Sequence, residues 1–229
     1  MFLFLFLIGF SNSVLFGSVP EKSEISSQVT IFAKFRGGNE VICGGVRVSK
    51  LRILTAAHCL KKAAGNAEIV EIQEIAGRSY WTNAFEILEN DKAILHLNNL
   101  LHNTEIAKPS PIPNNFAKTC YAAGRGIDES NKYPELPRKI EIDLKFKRNQ
   151  TFAISKLSFP ETQEEPRFCM GDSGSPVYCR VKDQTVLIGI LSSIGIGKRE
   201  ARTKKAQIFG AKTMAQKCAN FRYAMISRV

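Results

Sequence analysis

Short runs rich in β-branched residues recur along most of this chain, and clusters of turn residues separate them. Examples of the runs are QVTIFAKF, EVICGGVRV, KAILHL and KIEIDLKF, while FRGGNE is typical of the separators. Repeated short strands divided by Gly, Pro and Asn favour an all-β barrel or sandwich. One segment departs from this pattern. Its apolar residues are widely spaced over about residues 213–226, which predicts a closing helix.

The first ten residues, MFLFLFLIGF, are almost wholly apolar and are followed by Ser11-Asn12-Ser13. A short apolar region before small residues is typical of a secretory signal peptide and is too short for a transmembrane helix. We therefore expect a secreted, extracellular protein without a membrane span. In that compartment the six cysteines predict disulfide bonds, although spacing alone does not choose among the possible pairings.

The surface chemistry expected from the sequence is strongly basic, with a formal net charge of +11. Lys and Arg cluster at residues 145–148 and 198–205. These clusters are either a solvated face that keeps the chain soluble or a surface that attracts acidic partners and polyanions. No nucleic-acid-binding module is recognisable, so we do not expect nucleic acid as a partner. Asn149 begins an Asn-Gln-Thr triplet, which is either a glycosylation site or an unused acceptor.

Three short motifs carry residues suited to nucleophilic catalysis. A serine hydroxyl needs a base to take its proton, and a carboxylate can orient that base when it is a histidine. LTAAHC supplies His58, NDKAILHL supplies Asp91 at the head of an apolar strand, and GDSGSP supplies Ser173 between glycines. The backbone N–H groups of Gly171 and Ser173 could then form an oxyanion hole.

Taken in the order His, Asp, Ser, these motifs resemble the chymotrypsin/trypsin-like serine proteases, the peptidase S1 family of hydrolases. The resemblance covers almost the whole mature chain and rests on VICGGVRVSKLRILTAAHC, NDKAILHL, CYAAGRG, CMGDSGSPVYC and GILSS. It implies two antiparallel six-stranded β-barrels with the active site between them, followed by a C-terminal helix. It also implies a protein or peptide substrate. We expect no cofactor, because no metal-ligand spacing is present.

The resemblance gives the expected division of the chain. Residues 1–17 form the signal peptide, cleaved after residue 13 or near residue 17. Residues 18–110 form the first barrel, and residues 111–229 form the second barrel with the terminal helix. The Pro-rich stretch KPSPIPNN, at residues 108–115, lies at the boundary between the two barrels and divides the chain into roughly equal halves.

The resemblance also implies two disulfides, Cys43–Cys59 and Cys120–Cys179. Cys169 matches a half-cystine of the family, but its usual partner beyond GILSS is missing. Cys218 is then left over, and a Cys169–Cys218 bridge follows by elimination only. The alternative is that these two cysteines are free or otherwise paired.

The start of the chain departs from the family pattern. Family members are cut before Ile-Val-Gly-Gly, and the new ammonium pairs with the carboxylate before the serine, here Asp172. No basic residue followed by that sequence exists upstream of Cys43. The run QVTIF resembles the family's Gln-Val-Ser-Leu strand, and counting back from it places the expected new N-terminus near Val14. Signal cleavage after Ser13 would free Val14 directly, whereas cleavage near Gly17 would leave Asp172 without the ammonium and the oxyanion hole poorly formed.

The expected substrate pocket departs as well. Arg167 stands at its base, where trypsins have an aspartate, so cleavage after Lys or Arg is not expected. Compared with the family pattern, its neighbour Phe168 stands in place of a small residue, and Ile194 stands in place of a glycine at the mouth of the pocket. Ser193, beside Ser192, stands in place of an aromatic residue. Either Arg167 holds an acidic side chain of the substrate, or Phe168 and Ile194 fill the pocket.

Two hypotheses about function follow. In the first, the chain is a secreted serine endopeptidase with His58 as general base, Asp91 as its orienting carboxylate and Ser173 as nucleophile. In the second, it is a protease-fold binding protein, a serine protease homologue with little or no turnover, which acts through its cleft or its basic surface. An esterase on this fold is a minor third hypothesis. The other histidines, His96 and His102, do not compete for the catalytic role.

Overall fold

The computed structural model of the chain describes residues 17–111, 119–147, 150–155, 166–181, 184–195, 211–218 and 223–229. Nine strands precede the linker: β1 (Gln28–Lys34), β2 (Glu40–Ser49), β3 (Arg52–Ala56), β4 (Lys61–Lys62), β5 (Gly65–Asn66), β6 (Ile69–Glu74), β7 (Ser79–Thr82), β8 (Phe85–Leu88) and β9 (Lys92–His96). After it come β10 (Cys120–Gly124), β11 (Arg138–Lys147), β12 (Gln150–Ser155), β13 (Pro176–Val181), β14 (Gln184–Gly195), the helix α1 (Met214–Cys218) and β15 (Tyr223–Arg228). The prediction of a nearly all-β, chymotrypsin-like architecture is confirmed.

The first barrel is an antiparallel sheet in the order β7-β6-β1-β2-β3-β9-β8. Its two edge strands, β7 and β8, are consecutive in the chain. His96 on β9 makes hydrogen bonds at the point where β7 ends and β8 begins. Its carbonyl accepts from Thr82 Oγ1, at the end of β7, at 2.7 Å, and its N–H donates to the carbonyl of Ala84, just before β8, at 2.9 Å. The sheet therefore curls round, and the sixth strand that the resemblance implies is bent and divided into β7 and β8.

Alternation along the strands builds the core of this sheet. On β1 the side chains of Val29, Ile31 and Ala33 face inward and are almost completely buried, as expected for a strand whose successive side chains point to opposite faces. Val70 and Ile72 on β6 do the same. Each such Val or Ile side chain contributes about 1.5–3 kcal/mol to the free energy of unfolding.

The second barrel is closed, in the order β10-β11-β12-β15-β14-β13. Its core includes Ile140, Ile142, Val177 and Ile188. Four of its side chains, Tyr121, Tyr178, Leu187 and Ile190, belong instead to the apolar cluster of the first barrel. The two barrels thus pack against each other through continuous buried apolar surface, which fixes the cleft between them.

The closing helix predicted over residues 213–226 is wrong in its extent. The helix α1 covers only Met214–Cys218, and Tyr223–Arg228 form the strand β15. This strand pairs with β12 and β14 and completes the second barrel. Its side chains Ala224 and Ile226 are buried. Closure of the barrel decides the conformation here, because a missing strand would leave two unpaired sheet edges.

The segment before β1 lies on the second barrel, although it belongs by sequence to the first half. Ser18 and Lys139 exchange backbone hydrogen bonds of 3.0 and 2.8 Å. The Lys139 ammonium also contacts both carboxylate oxygens of Glu24, at 2.7 and 2.8 Å. On the linker side, Leu187 accepts a hydrogen bond from Ser110 N–H. Both ends of the first half of the chain are therefore hydrogen-bonded to the second half.

The two expected disulfides, Cys43–Cys59 and Cys120–Cys179, are present. Cys169 and Cys218, for which the sequence left two alternatives open, are bonded to each other. Asn149, the basic cluster at residues 198–205 and the expected start at Val14 lie outside the described residues. Within the described part of the chain, no helix is long and apolar enough to cross a membrane.

Candidate active site

His58 lies in a short 3-10 turn, Ala57–Cys59, which follows directly after β3. The next residue, Cys59, is fully buried and bonded to Cys43 on β2. The turn therefore follows the end of β3 and is bonded to β2, while the His58 side chain itself remains 46% exposed. This combination of an anchored backbone and an accessible imidazole suits a group that must exchange protons with a substrate.

The carboxylate of Asp91 holds His58 through two hydrogen bonds. Oδ1 accepts from the His58 backbone N–H at 2.9 Å, and Oδ2 lies 2.8 Å from His58 Nδ1. Because the Asp91 carboxylate can only accept a hydrogen bond, His58 Nδ1 carries the proton. The lone pair of His58 Nε2 is then left to act as a base. Asp91 has a φ of 57°, a left-handed conformation that Asp and Asn tolerate better than most residues.

Ser192 is a third donor to Asp91. Its Oγ lies 2.5 Å from Asp91 Oδ2, across 101 positions of sequence. A cleft of about 710 Å³ lined by Asn90, Asp91, Ser192 and β15 residues leaves the Asp91 side chain 28% exposed. Burial alone would raise the pKa of Asp91, but the hydrogen bonds from His58 and Ser192 outweigh it and lower the pKa. Asp91 is therefore ionised at neutral pH.

Ser173 lies in a tight turn between two sheets. Gly44 N–H on β2 donates to the Ser173 carbonyl at 2.8 Å, and Gly174 N–H donates to the Leu191 carbonyl on β14 at 2.7 Å. Gly174 has a φ of 78°, and a Cβ there would lie 2.3 Å from the Gly44 carbonyl oxygen. Only glycine fits this position, so the glycine after the serine allows the close approach that holds Ser173 in place.

The Ser173 hydroxyl donates to the Ser192 carbonyl at 3.3 Å. Among the described residues, no hydrogen bond joins it to His58. Ser192 thus contacts both Ser173 and Asp91, through its carbonyl and its hydroxyl respectively. The sequence had suggested Ser192 only as a pocket residue, and no local pattern could have revealed its contact with Asp91.

Asp172, the residue before Ser173, is completely enclosed, with 1% of its surface exposed. Its carboxylate accepts from Gly126 N–H and Cys169 N–H, both at 2.8 Å. Burial raises the pKa of Asp172 to about 7, against the lowering effect of these two bonds. A Cβ on Gly124 would lie 2.0 Å from the Asp172 carboxylate. In the part of the chain that is described, no Lys or Arg pairs with Asp172.

The expected oxyanion donors lie on this turn. Gly171 has a φ of 99°, and its surroundings are tight because a Cβ there would meet Gly126 Cα at 3.0 Å. Within the described residues, the N–H groups of Gly171 and Ser173 have no hydrogen-bond acceptor. Two unoccupied backbone donors beside a serine hydroxyl are what an oxyanion hole requires.

Besides Ser192, the four other expected pocket residues lie in different environments. Phe168 is 5% exposed and belongs to the core of the second barrel, together with Leu191. Ile194 is half-buried and packs against the same cluster. Arg167 is also half-buried, whereas Ser193 is exposed. The Phe168 ring therefore contributes to the core and occupies space that a small residue would leave open.

The protein-family model described as Trypsin matches residues 18–217. The chain belongs to the trypsin family. The match begins at Ser18, which pairs with β11, and ends in α1, so it covers the first barrel, the second barrel as far as α1, and the motifs that contain His58, Asp91 and Ser173. Trypsin-family membership makes the fold that of a serine-type peptidase and implies that proteins bind in the cleft.

Proposed function

We propose that this trypsin-family chain is a secreted serine endopeptidase of non-tryptic specificity. The observation that carries the proposal is the doubly hydrogen-bonded His58–Asp91 pair, which is backed by Ser192. It supports His58 as general base, Asp91 as its orienting carboxylate and Ser173 as nucleophile. The N–H groups of Gly171 and Ser173 serve as the oxyanion hole.

Catalysis begins when Ser173 Oγ exchanges its hydrogen bond to the Ser192 carbonyl for one to His58 Nε2. Hydrogen bonds of this kind are often long in free enzymes and tighten when substrate binds. Oγ attacks the substrate carbonyl carbon while His58 takes its proton. The oxygen of the resulting tetrahedral intermediate becomes negative and accepts hydrogen bonds from Gly171 and Ser173, each worth about 2.7–4 kcal/mol of transition-state stabilisation.

The intermediate collapses when His58 donates its proton to the leaving amine, which breaks the peptide bond and leaves an acyl group on Ser173. Water then attacks the ester, with His58 again acting as base, and the acid product leaves as Ser173 regains its proton. Asp91 stays ionised throughout and stabilises the imidazolium that forms in each half-reaction. Its lowered pKa supports this role.

The pocket supports a specificity other than cleavage after Lys or Arg. Phe168 is packed into the barrel core and Ile194 lies against the same cluster, so these side chains fill the space that a long substrate side chain would need. Arg167 adds a positive charge that repels basic residues. We propose that small or no side chains enter the pocket, with an acidic side chain held by Arg167 as the alternative.

Secretion is proposed on two grounds. Residues 1–10 are almost wholly apolar, as in a signal peptide, and the structure contains three disulfides, which persist in oxidising compartments. The basic clusters are proposed to contact acidic surfaces.

A second function, binding without turnover, is favoured by one specific observation. The Ser173 hydroxyl bonds to the Ser192 carbonyl and not to His58, in a site whose pocket is occupied by Phe168. A chain held in this state would present its cleft to a protein partner without cleaving it.

Labelling of the secreted protein with a fluorophosphonate probe tests the first proposal. The wild type is expected to react, and Ser173→Ala and His58→Ala are expected not to react. Cooperative unfolding and three intact disulfides would establish that each variant is folded. Absence of labelling in a folded wild type would reject the endopeptidase and favour the binding protein.

A further inference from the structure

Arg125 joins the loop after β10 to the first barrel. Its Nη1 donates to Thr30 Oγ1 on β1 at 3.1 Å and to Gln73 Oε1 on β6 at 2.8 Å. Its Nε donates to the carbonyl of Pro134, in its own loop, at 2.8 Å. We name Arg125, Thr30 and Gln73 the inter-barrel latch. Because the guanidinium has five N–H donors in a rigid fork, one side chain can hold all three acceptors in a fixed arrangement.

The latch adjoins the turn that carries the catalytic serine. Gly126, the next residue, donates its N–H to Asp172. The Arg125 and Gly126 backbones also lie directly against Gly171, since a Cβ on Gly171 would meet Gly126 Cα at 3.0 Å and the Arg125 carbonyl at 3.4 Å. The loop that Arg125 anchors is therefore one wall of the proposed oxyanion hole.

A second contact with β1 holds the end of β10. Gln28, almost completely buried, donates from Nε2 to the Ala123 carbonyl at 3.0 Å. Ala123 and Arg125 are two positions apart, so the end of β10 is attached to β1 at two points. Arg125 is half-buried, and its contacts are sheltered enough for the hydrogen bonds to hold the loop in one position.

From these contacts we infer that Arg125 is a positioning residue for the oxyanion hole, through the inter-barrel latch and the Gly126–Asp172 hydrogen bond. The inference rests on the proposed endopeptidase function for its kinetic consequence. Arg125 does not touch the reacting atoms. It holds the loop whose backbone fixes Asp172, and Asp172 precedes Ser173.

The test compares Arg125→Met, which keeps an unbranched apolar stem and removes every side-chain donor, with Arg125→Lys, which keeps the charge and part of the bonding. We expect Arg125→Met to lower kcat and the fluorophosphonate labelling rate about 10- to 100-fold, because misplaced oxyanion donors stabilise the transition state less. KM should change less than about twofold, since the substrate-binding residues are untouched. Arg125→Lys should recover part of kcat.

Arg47→Lys is the matched control. Arg47 is a buried arginine that donates to the carbonyls of Leu101 and Thr104 within the first half of the chain, away from the Gly126 loop. It should lower the free energy of unfolding while leaving kcat of the folded enzyme unchanged. Equal kcat values for wild type and Arg125→Met, or an equal loss in Arg47→Lys, would overturn the inference.

Amide hydrogen exchange provides a readout that needs no activity. We expect the N–H groups of Gly126 and Cys169 to exchange faster in Arg125→Met than in wild type, and to be unaffected in Arg47→Lys. If the wild type fails to label, the proposed function is rejected, and the exchange experiment alone tests whether the inter-barrel latch positions the Gly126 loop. Unchanged protection at Gly126 in Arg125→Met would then overturn it.

Discussion

The Ser192 hydroxyl lies 2.5 Å from Oδ2 of Asp91, the same oxygen that contacts His58 Nδ1 at 2.8 Å. The second barrel thereby supplies a hydrogen bond to a carboxylate of the first. Because this bond lowers the pKa of Asp91, the charge of the carboxylate that holds His58 depends on how the two barrels are docked.

Ser192→Ala should reduce catalysis without unfolding the protein. Loss of one charge-assisted hydrogen bond raises the pKa of Asp91 and lets its carboxylate turn, so we expect kcat/KM to fall about tenfold. The pH–rate profile measures the effect, and its acidic limb should move to higher pH. Ser79→Ala, which removes a 2.6 Å hydrogen bond from Ser79 Oγ to Glu71 that involves neither Asp91 nor His58, should leave the profile unchanged. A similar change in both variants would contradict the assignment.

Asp91→Asn should be far more severe. The amide would donate through its nitrogen, reverse the preferred tautomer of His58 and place the proton on Nε2, where Ser173 needs an acceptor. We expect kcat to fall about 10⁴-fold at neutral pH with binding of substrate retained. Steady-state kinetics with circular dichroism as a folding check would measure this. A loss of less than tenfold would contradict the role of Asp91 in fixing the tautomer of His58.

Asp172 should make the protein less stable as pH rises. Its pKa is about 7 when folded against 3.8 as its ordinary value, so between these values the folded state binds more protons than the unfolded state. The free energy of unfolding therefore falls with increasing pH across this window, by on the order of a few kcal/mol. Denaturant titrations from pH 4 to pH 8 should show the slope in wild type and its absence in Asp172→Asn.

An ammonium at Asp172 would change the sign of that slope. If secretion frees Val14 and its amine reaches Asp172, the pKa of this carboxyl falls and stability rises with pH instead. N-terminal sequencing of the secreted protein decides which case applies. A start at Ser18 or later would exclude the Val14 hypothesis, and the slope expected from the buried, unpaired carboxyl should then be observed.

A peptide library should show little cleavage after Lys or Arg, because Arg167 and the filled pocket both oppose a cation. Phe168→Ala should open the pocket and admit larger apolar side chains. It should also lower the free energy of unfolding by about 3–5 kcal/mol, since Phe168 packs in the barrel core. Preference for Lys or Arg in the wild type would refute this view of the pocket.

Much of the fold and of the candidate site could be predicted from local patterns. Alternation in runs such as QVTIFAKF predicts strands because side chains on a strand face opposite sides, and the structure has β1 there. His58, Asp91 and Ser173 stand in short motifs, LTAAHC, NDKAILHL and GDSGSP. In such motifs the residues that shape the backbone lie within a few positions of the functional one, so a single sequence is sufficient to suggest the chemistry.

Other features depended on the tertiary structure because they join residues far apart in sequence. Arg125 reaches Thr30 across 95 positions, and Ser192 reaches Asp91 across 101. The local spacing over residues 213–226 suggested a helix, yet Tyr223–Arg228 form a strand that closes the barrel. The sequence left two interpretations of the pocket open, and the burial of Phe168 favours the one in which its side chain fills the pocket. Local propensity contributes tenths of a kcal/mol per residue. Burying one side chain in a barrel core contributes several kcal/mol. Where local propensity and tertiary packing favour different conformations, packing therefore determines which one forms.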